Sequence, residues 1–208
     1  MRTSVVRKNS NRVLTDAWRR RGTRRKNGVS EPRPAENPAR LLGEPAGKLG
    51  AMPRVSAGLL LYRLAPGGLE VLLVHPGGPF FARRDLGAWS IPKGEAEPGE
   101  ELLAVARREL ADETGFAAEG TALPLGEVRQ AGGKLVHAFA VQGDADPGRL
   151  RSNEFELEWP KGSGRRRSFP EVDRAEWFEL GEARRRLNPA QVAFLERLAA
   201  ALGDPRSV

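Results

Sequence analysis

The segment that most restricts this chain runs from Gly94 to Phe116 and reads Gly-Glu-Ala-Glu-Pro-Gly-Glu-Glu-Leu-Leu-Ala-Val-Ala-Arg-Arg-Glu-Leu-Ala-Asp-Glu-Thr-Gly-Phe. Pro98-Gly99-Glu100 opens a helix and Gly115 stops it, so the pattern predicts a helix from about Glu100 to Thr114. On it, Glu109, Asp112 and Glu113 fall at i, i+3 and i+4 and share one face within a turn. Three carboxylates so close repel, and an exposed helix gains nothing from that. A divalent cation turns the repulsion into binding, because several oxygens at about 2.1 Å satisfy an octahedral ion. Leu102, Leu103, Ala106 and Leu110 lie on the other side and would pin the helix to a sheet. Arg108 and Glu100 read as support, the arginine neutralising part of the cluster and Glu100 helping to fix it. Gly94 precedes the helix in a loop that must bring backbone close to a metal, where a side chain would obstruct.

Composition narrows the metal chemistry. The 208 residues include no Cys and only two His, His75 and His137. Disulfides, thiolate sites and His-rich centres are therefore excluded, which leaves carboxylates and carbonyls and a hard ion such as Mg²⁺ or Mn²⁺. No apolar run approaches the roughly 18 residues needed to span a bilayer, so no membrane partner is expected. The positively charged N-terminus lacks a following apolar stretch, and the cytoplasm is the default location. Charge is uneven. Residues 1–54 hold 14 Lys and Arg against 4 Asp and Glu, and the rest of the chain 20 against 23. The net charge of +7 thus belongs to the leader.

That leader, residues 1–52, is rich in Arg, Pro, Gly and Asn without sustained periodicity, and disorder is expected because it cannot bury enough apolar surface. A solvated tail, or a start codon placed ahead of Met52, accounts for it better than a nucleic-acid-binding arm. Residues 53–204 form the domain. Val55–Leu64 and Leu69–His75 read as a hairpin, followed by a Gly/Pro loop and the short extended Trp89-Ser-Ile91. Beyond the acidic helix come strands at Leu123–Gln130, Leu135–Gln142, Phe155–Trp159 and Arg174–Leu180. A last helix follows Asn188-Pro189 and runs to Leu202. Strands on both sides of one central helix imply an α+β fold, an α/β/α sandwich.

The segment resembles the Nudix box: Gly94, then Glu100, Arg108-Glu109, Asp112-Glu113 and Gly115-Phe116 at the box spacing. Asp112 stands where the pattern has a Glu. The resemblance covers roughly residues 54–202. It implies a mixed sheet carrying a catalytic loop-helix-loop, a Mg²⁺- or Mn²⁺-dependent pyrophosphohydrolase, and a small-molecule phosphoanhydride substrate of the nucleoside diphosphate-X kind. Carried over by position, Glu109 and Glu113 are metal ligands, Asp112 a third, and Gly94 offers its carbonyl. The general base is either a box glutamate or a later carboxylate. Glu171 and Glu154 are the candidates among the later ones, although a solvated strand face accounts for either. Members of the family often form homodimers.

Trp89-Ser-Ile-Pro-Lys-Gly94 is similar to the Trp-x-x-Pro-Lys-Gly segment of Nudix enzymes acting on dinucleoside polyphosphates and diphosphoinositol polyphosphates. On that resemblance Trp89 and Lys93 are substrate-binding, with Lys93 supplying a point charge. Arg83 and Arg84 would add a basic rim. The stretch Lys161–Arg167 reads equally well as a phosphate clamp or a solvated hairpin tip. The tyrosine usual in diadenosine tetraphosphate hydrolases is missing, since Ala131, Gly132 and Gly133 occupy its place. Dinucleoside polyphosphates or nucleoside triphosphates are the expected substrates. The rival is a nucleotide-sensing or RNA-associated Nudix-like module, which would typically have lost the box carboxylates retained here.

Overall fold

The computed structural model describes residues 54–203; the expectation for the leader lies outside them. The strands are β1 (Val55–Ala65), β2 (Gly68–Pro76), β3 (Lys93–Glu95), β4 (Ala122–Arg129), β5 (Leu135–Gln142), β6 (Glu154–Glu158), β7 (Arg166–Pro170) and β8 (Val172–Glu179). The helices are α1 (Leu102–Thr114), α2 (Leu180–Arg186) and α3 (Val192–Leu202). The main sheet is mixed, in the order β4-β5-β1-β2-β8, with β3 also on β1.

β1 organises this sheet because it is apolar on both faces, as expected of a strand covered on both sides. Alternate residues Ala57, Leu59 and Leu61 pack with Val105, Ala106 and Leu110 of α1. Leu60 joins Phe194, Leu195 and Leu198 of α3 on the opposite face. The result is the α/β/α sandwich anticipated above.

One edge of β1 serves two partners. Its C-terminal part, Tyr62 to Ala65, pairs with β2, whereas Ser56 to Gly58 pair with β3. β2 diverges where β3 enters, and the chain leading into β3 fills the gap. Trp89 to Ile91 lie there, with Ser90 bridging to Val74 and the Leu59 amide donating to the Pro92 carbonyl at 3.0 Å. The short strand is therefore at Lys93–Glu95, two residues past Ile91, and Trp89 belongs to the core.

Other boundaries differ for local reasons. α1 begins at Leu102 because Glu101, not Glu100, caps it, accepting from the Leu103 and Ala104 amides. It ends at Gly115, whose φ of 73° suits a residue without Cβ. Pro189–Gln191 forms a 3₁₀ turn, so α3 starts only at Val192. α2 left little periodic signal, since Ala183 alone among its residues is buried, but its last turn carries Arg184, Arg185 and Arg186, favourable at a helix C-terminus. The basic stretch Lys161–Arg167 is exposed and spans the tip of a β6–β7 hairpin and the start of β7.

Trp89 is 0% exposed, lies edge-on to His75 and Phe178, and its indole N–H donates to Asp85 at 2.8 Å. Trp89→Ala should cost about 3–5 kcal/mol in denaturant unfolding. A loss below about 1 kcal/mol would mean that the ring does not carry the core.

Candidate active site

α1 and β3 build the site together. Leu110, Ala106 and Val105 bury one side of the helix, which turns the carboxylates toward the β3 margin. Gly94 on β3 then meets Glu109 so closely that a Cβ there would lie 1.9 Å from the glutamate carboxyl carbon. Any other residue would evict the carboxylate. Glu109 itself is only 4% exposed.

β3 pairs with β1 on one side, and on its other margin Glu113 takes up a backbone donor. Its Oε2 accepts from the Lys93 amide at 3.1 Å. Arg108 Nη1 donates to Glu109 Oε1 at 2.6 Å and lies 3.8 Å from Asp112, and Nη2 lies 3.8 Å from Glu100. Glu100 precedes the helix and accepts from the Glu97 amide at 2.7 Å.

A fourth carboxylate joins from β8's side. Glu171 is 4% exposed and is electrostatically coupled to Glu109, Asp112 and Lys93. Two backbone bonds fix it: its amide donates to Asn153 O at 2.8 Å, and its carbonyl accepts from Gly77 N–H at 2.9 Å. Gly77 can approach only because it lacks a side chain, since a Cβ would sit 2.1 Å from the Pro170 carbonyl. Glu154, the other later carboxylate, is exposed on β6 and accepts from Ser168 at 2.6 Å. Of the two, Glu171 is the buried one.

Crowding these acids out of water raises their proton affinity. Desolvation pushes Glu113 up to about 8, against the opposing pull of Lys93 and with help from Glu109. Desolvation and the neighbouring Glu109 and Asp112 push Glu171 up to about 6. Burial likewise raises Glu109, with Arg108 pulling the other way. Lys134, in the β4–β5 turn, was not legible as a site residue, yet it is coupled to Lys93, Glu95 and Glu113. Burial, and next the Lys93 charge, lower its ammonium to about 7.

The donor set suits a hard divalent ion: several carboxylates, unfavourable to one another without a cation, one of them packed against the bare backbone of Gly94. Among the described residues, no three acidic or imidazole groups already converge as a cage. Arg108 engages only Oε1 of Glu109 and the Lys93 amide only Oε2 of Glu113, so each carboxylate keeps a second oxygen for an ion.

Not every expected residue is here. Trp89, enclosed in the core, cannot stack on a substrate, which corrects the expectation drawn from its motif position. Arg83 and Arg84 are exposed on the preceding loop, and no described hydrogen bond or ion pair joins their side chains to the acids. The loop is tied down by backbone instead. Buried His75 donates from Nε2 to the Arg84 carbonyl at 2.6 Å and places Nδ1 2.6 Å from Asp173.

Comparison with known proteins decides the family. The NUDIX domain profile matches residues 52–198. The chain belongs to the Nudix family. Its fold resembles a Caenorhabditis elegans Ap4A hydrolase solved as a binary complex, at 22% identity and TM-score 0.50, covering 71% of this chain and 98% of that one. It also resembles the NUDIX domain of Shewanella oneidensis NrtR complexed with ADP ribose, at 18% identity and TM-score 0.51, covering 73% and 90%. The chain is a Nudix pyrophosphohydrolase. Nudix enzymes generally use divalent metal ions. Among the described residues, no helix is long and apolar enough to cross a membrane.

The raised acids set the sign of the pH dependence. The folded protein holds protons on Glu113 to about pH 8 and on Glu171 to about pH 6, whereas an unfolded glutamate releases them near 4.5. From pH 5 to 7 these acids make the unfolded chain bind fewer protons, so raising the pH favours unfolding; above about pH 7 the lowered Lys134 acts in the opposite sense. The melting temperature of chelator-treated protein should fall from pH 5 to 7, and Glu113→Gln should flatten the fall. A melting temperature that climbs through this interval would contradict the assignment.

Proposed function

We propose that this enzyme hydrolyses a phosphoanhydride bond in a nucleoside polyphosphate, either a dinucleoside polyphosphate or a nucleoside triphosphate, with Mg²⁺ or Mn²⁺. Glu109, Asp112, Glu113 and the Gly94 carbonyl would hold the metal. When bound, the ion neutralises charge developing on the phosphoryl oxygens and favours ionisation of water. The observation that carries this reading is the close contact between Gly94 and the buried Glu109 carboxylate, with the Lys93 amide bound to Glu113 alongside.

The protein's own groups supply the remaining functions. Arg108 limits repulsion within the cluster and keeps Glu109 and Asp112 usable as ligands. The Lys93 ammonium is coupled to Glu109, Glu113 and Glu171 and has no described hydrogen bond or ion pair, so it is available to a phosphate oxygen. Glu171 serves as general base. Its elevation to about 6 suits proton acceptance near neutral pH. Water oxygen bonds to phosphorus, the anhydride P–O bond breaks, and the water proton passes to Glu171. The leaving phosphate departs in line with the attacking oxygen.

A panel of diadenosine polyphosphates, nucleoside triphosphates, sugar nucleotides and diphosphoinositol polyphosphates tests this reading with each metal. Polyphosphate nucleotides should turn over fastest, and Glu113→Gln should lower kcat by about 100-fold or more. Fast turnover of a sugar nucleotide with inert diadenosine polyphosphates would reject the substrate class. Full activity in Glu113→Gln would reject the metal site.

A further inference from the structure

Two strand ends meet beside Glu171, and their register breaks there. β2 and β8 pair in step as far as His75 with Arg174, but the next pair is Pro76 with Val172. Asp173 is therefore an extra residue, the bulge of an antiparallel ladder. Its effect is visible in the core. Val172 and Ala175 pack in the same apolar layer as α1 although they stand three residues apart, an odd step that unbroken alternation forbids. Asp173 is released from that layer, and the chain enters the strand at Glu171 out of its former phase.

Asp173 turns to His75. The imidazole is 0% exposed, with Nδ1 2.6 Å from Asp173 Oδ1 and Nε2 2.6 Å from the Arg84 carbonyl. Both partners are acceptors, and a ring carrying hydrogen on each nitrogen satisfies the two together. Arg174 is the other cation at Asp173, but its Nε stands farther off at 3.7 Å. Backbone bonds then link the bulge to Glu171. Gly77 N–H donates to the Glu171 carbonyl, and the Val172 amide donates to Ser152 Oγ at 2.8 Å. His75 thus bonds across the irregularity to the residue that the ladder leaves unpaired, two residues from Glu171.

We propose that His75 is a positioning residue for Glu171: its bond to Asp173 holds the bulge, and the bulge sets where Glu171 stands beside the acids of α1. This rests on the general-base reading above and adds the group that keeps the base in place. Enclosed in the core, His75 cannot touch substrate. Loss of its bond to Asp173 should therefore lower kcat and leave KM nearly unchanged.

The two ring nitrogens can be replaced one at a time. His75→Asn brings its amide near the position of Nδ1 and keeps a donor for Asp173. His75→Gln brings its amide near Nε2 and keeps only the bond to Arg84. On the nucleotide turned over fastest, His75→Gln should lower kcat about tenfold or more, and His75→Asn should restore it to within about threefold of wild type. A ring that merely fills space would rank them the other way, because glutamine is nearer to histidine in size. Asp173 is partly exposed, so Asp173→Ala should fold, and it should match His75→Gln. Added to Glu171→Gln, His75→Gln should cost no more than about a further twofold, because the two residues act as one unit. Exchange of the Gly77 amide, followed by NMR on the full chain, reads the clasp without turnover. It should be about tenfold faster in His75→Gln and Asp173→Ala and near wild type in His75→Asn. Equal kcat losses in the two histidine variants, additive loss with Glu171→Gln, or unchanged exchange would each overturn the proposal. Should Glu171→Gln keep full kcat while the exchange pattern holds, the failure falls on the general-base reading alone.

Discussion

The site depends on one buried carboxylate lying against bare backbone. Glu109 reaches its place only because Gly94 has no side chain, and Gly94 is there only because β3 pairs with the first residues of β1. That pairing in turn needs β2 to diverge from β1 and Trp89 to Ile91 to fill the opening. Core packing and acid placement are therefore one arrangement. Trp89 contributes to the chemistry by holding β3 in position, at a distance from the substrate.

Electrostatics then gives the arrangement its purpose. A fold that desolvates Glu109, Glu113 and Glu171 together incurs a penalty that Arg108 offsets in part. Raised proton affinities are the signature of that incomplete compensation, and a divalent cation completes it. Among the described residues, Lys93 and Lys134 feel the charges of these acids yet form no described ion pair.

Much of this was legible in the sequence, for identifiable reasons. Helical spacing is a local property, so Glu109, Asp112 and Glu113 could be placed on one face from their positions alone. The main strands were found from apolar runs, and both layers of the sandwich followed. Glu171 was narrowed to a pair with Glu154, and its burial depends on backbone bonds to Asn153 and Gly77, which join residues far apart in the chain. Lys134 gave no signal because only the parallel register of β5 on β1 brings it to the site. Trp89 misled for the opposite reason: its motif marks a position near substrate, whereas the burial of its ring depends on α2 and β8. α2 itself, with one buried residue, had too little periodicity to stand out.

The central claim is that the acids on α1 form a divalent-metal site, and binding of Mn²⁺ tests it most directly. Free Mn²⁺ can be followed by electron paramagnetic resonance during titration of the full chain and of Glu109→Gln at neutral pH. The account predicts saturable binding by the wild type, tighter as pH rises because the acids must release protons, and weaker by about 100-fold or more in the variant. Mn²⁺ bound equally well by Glu109→Gln, or by neither protein, would contradict it.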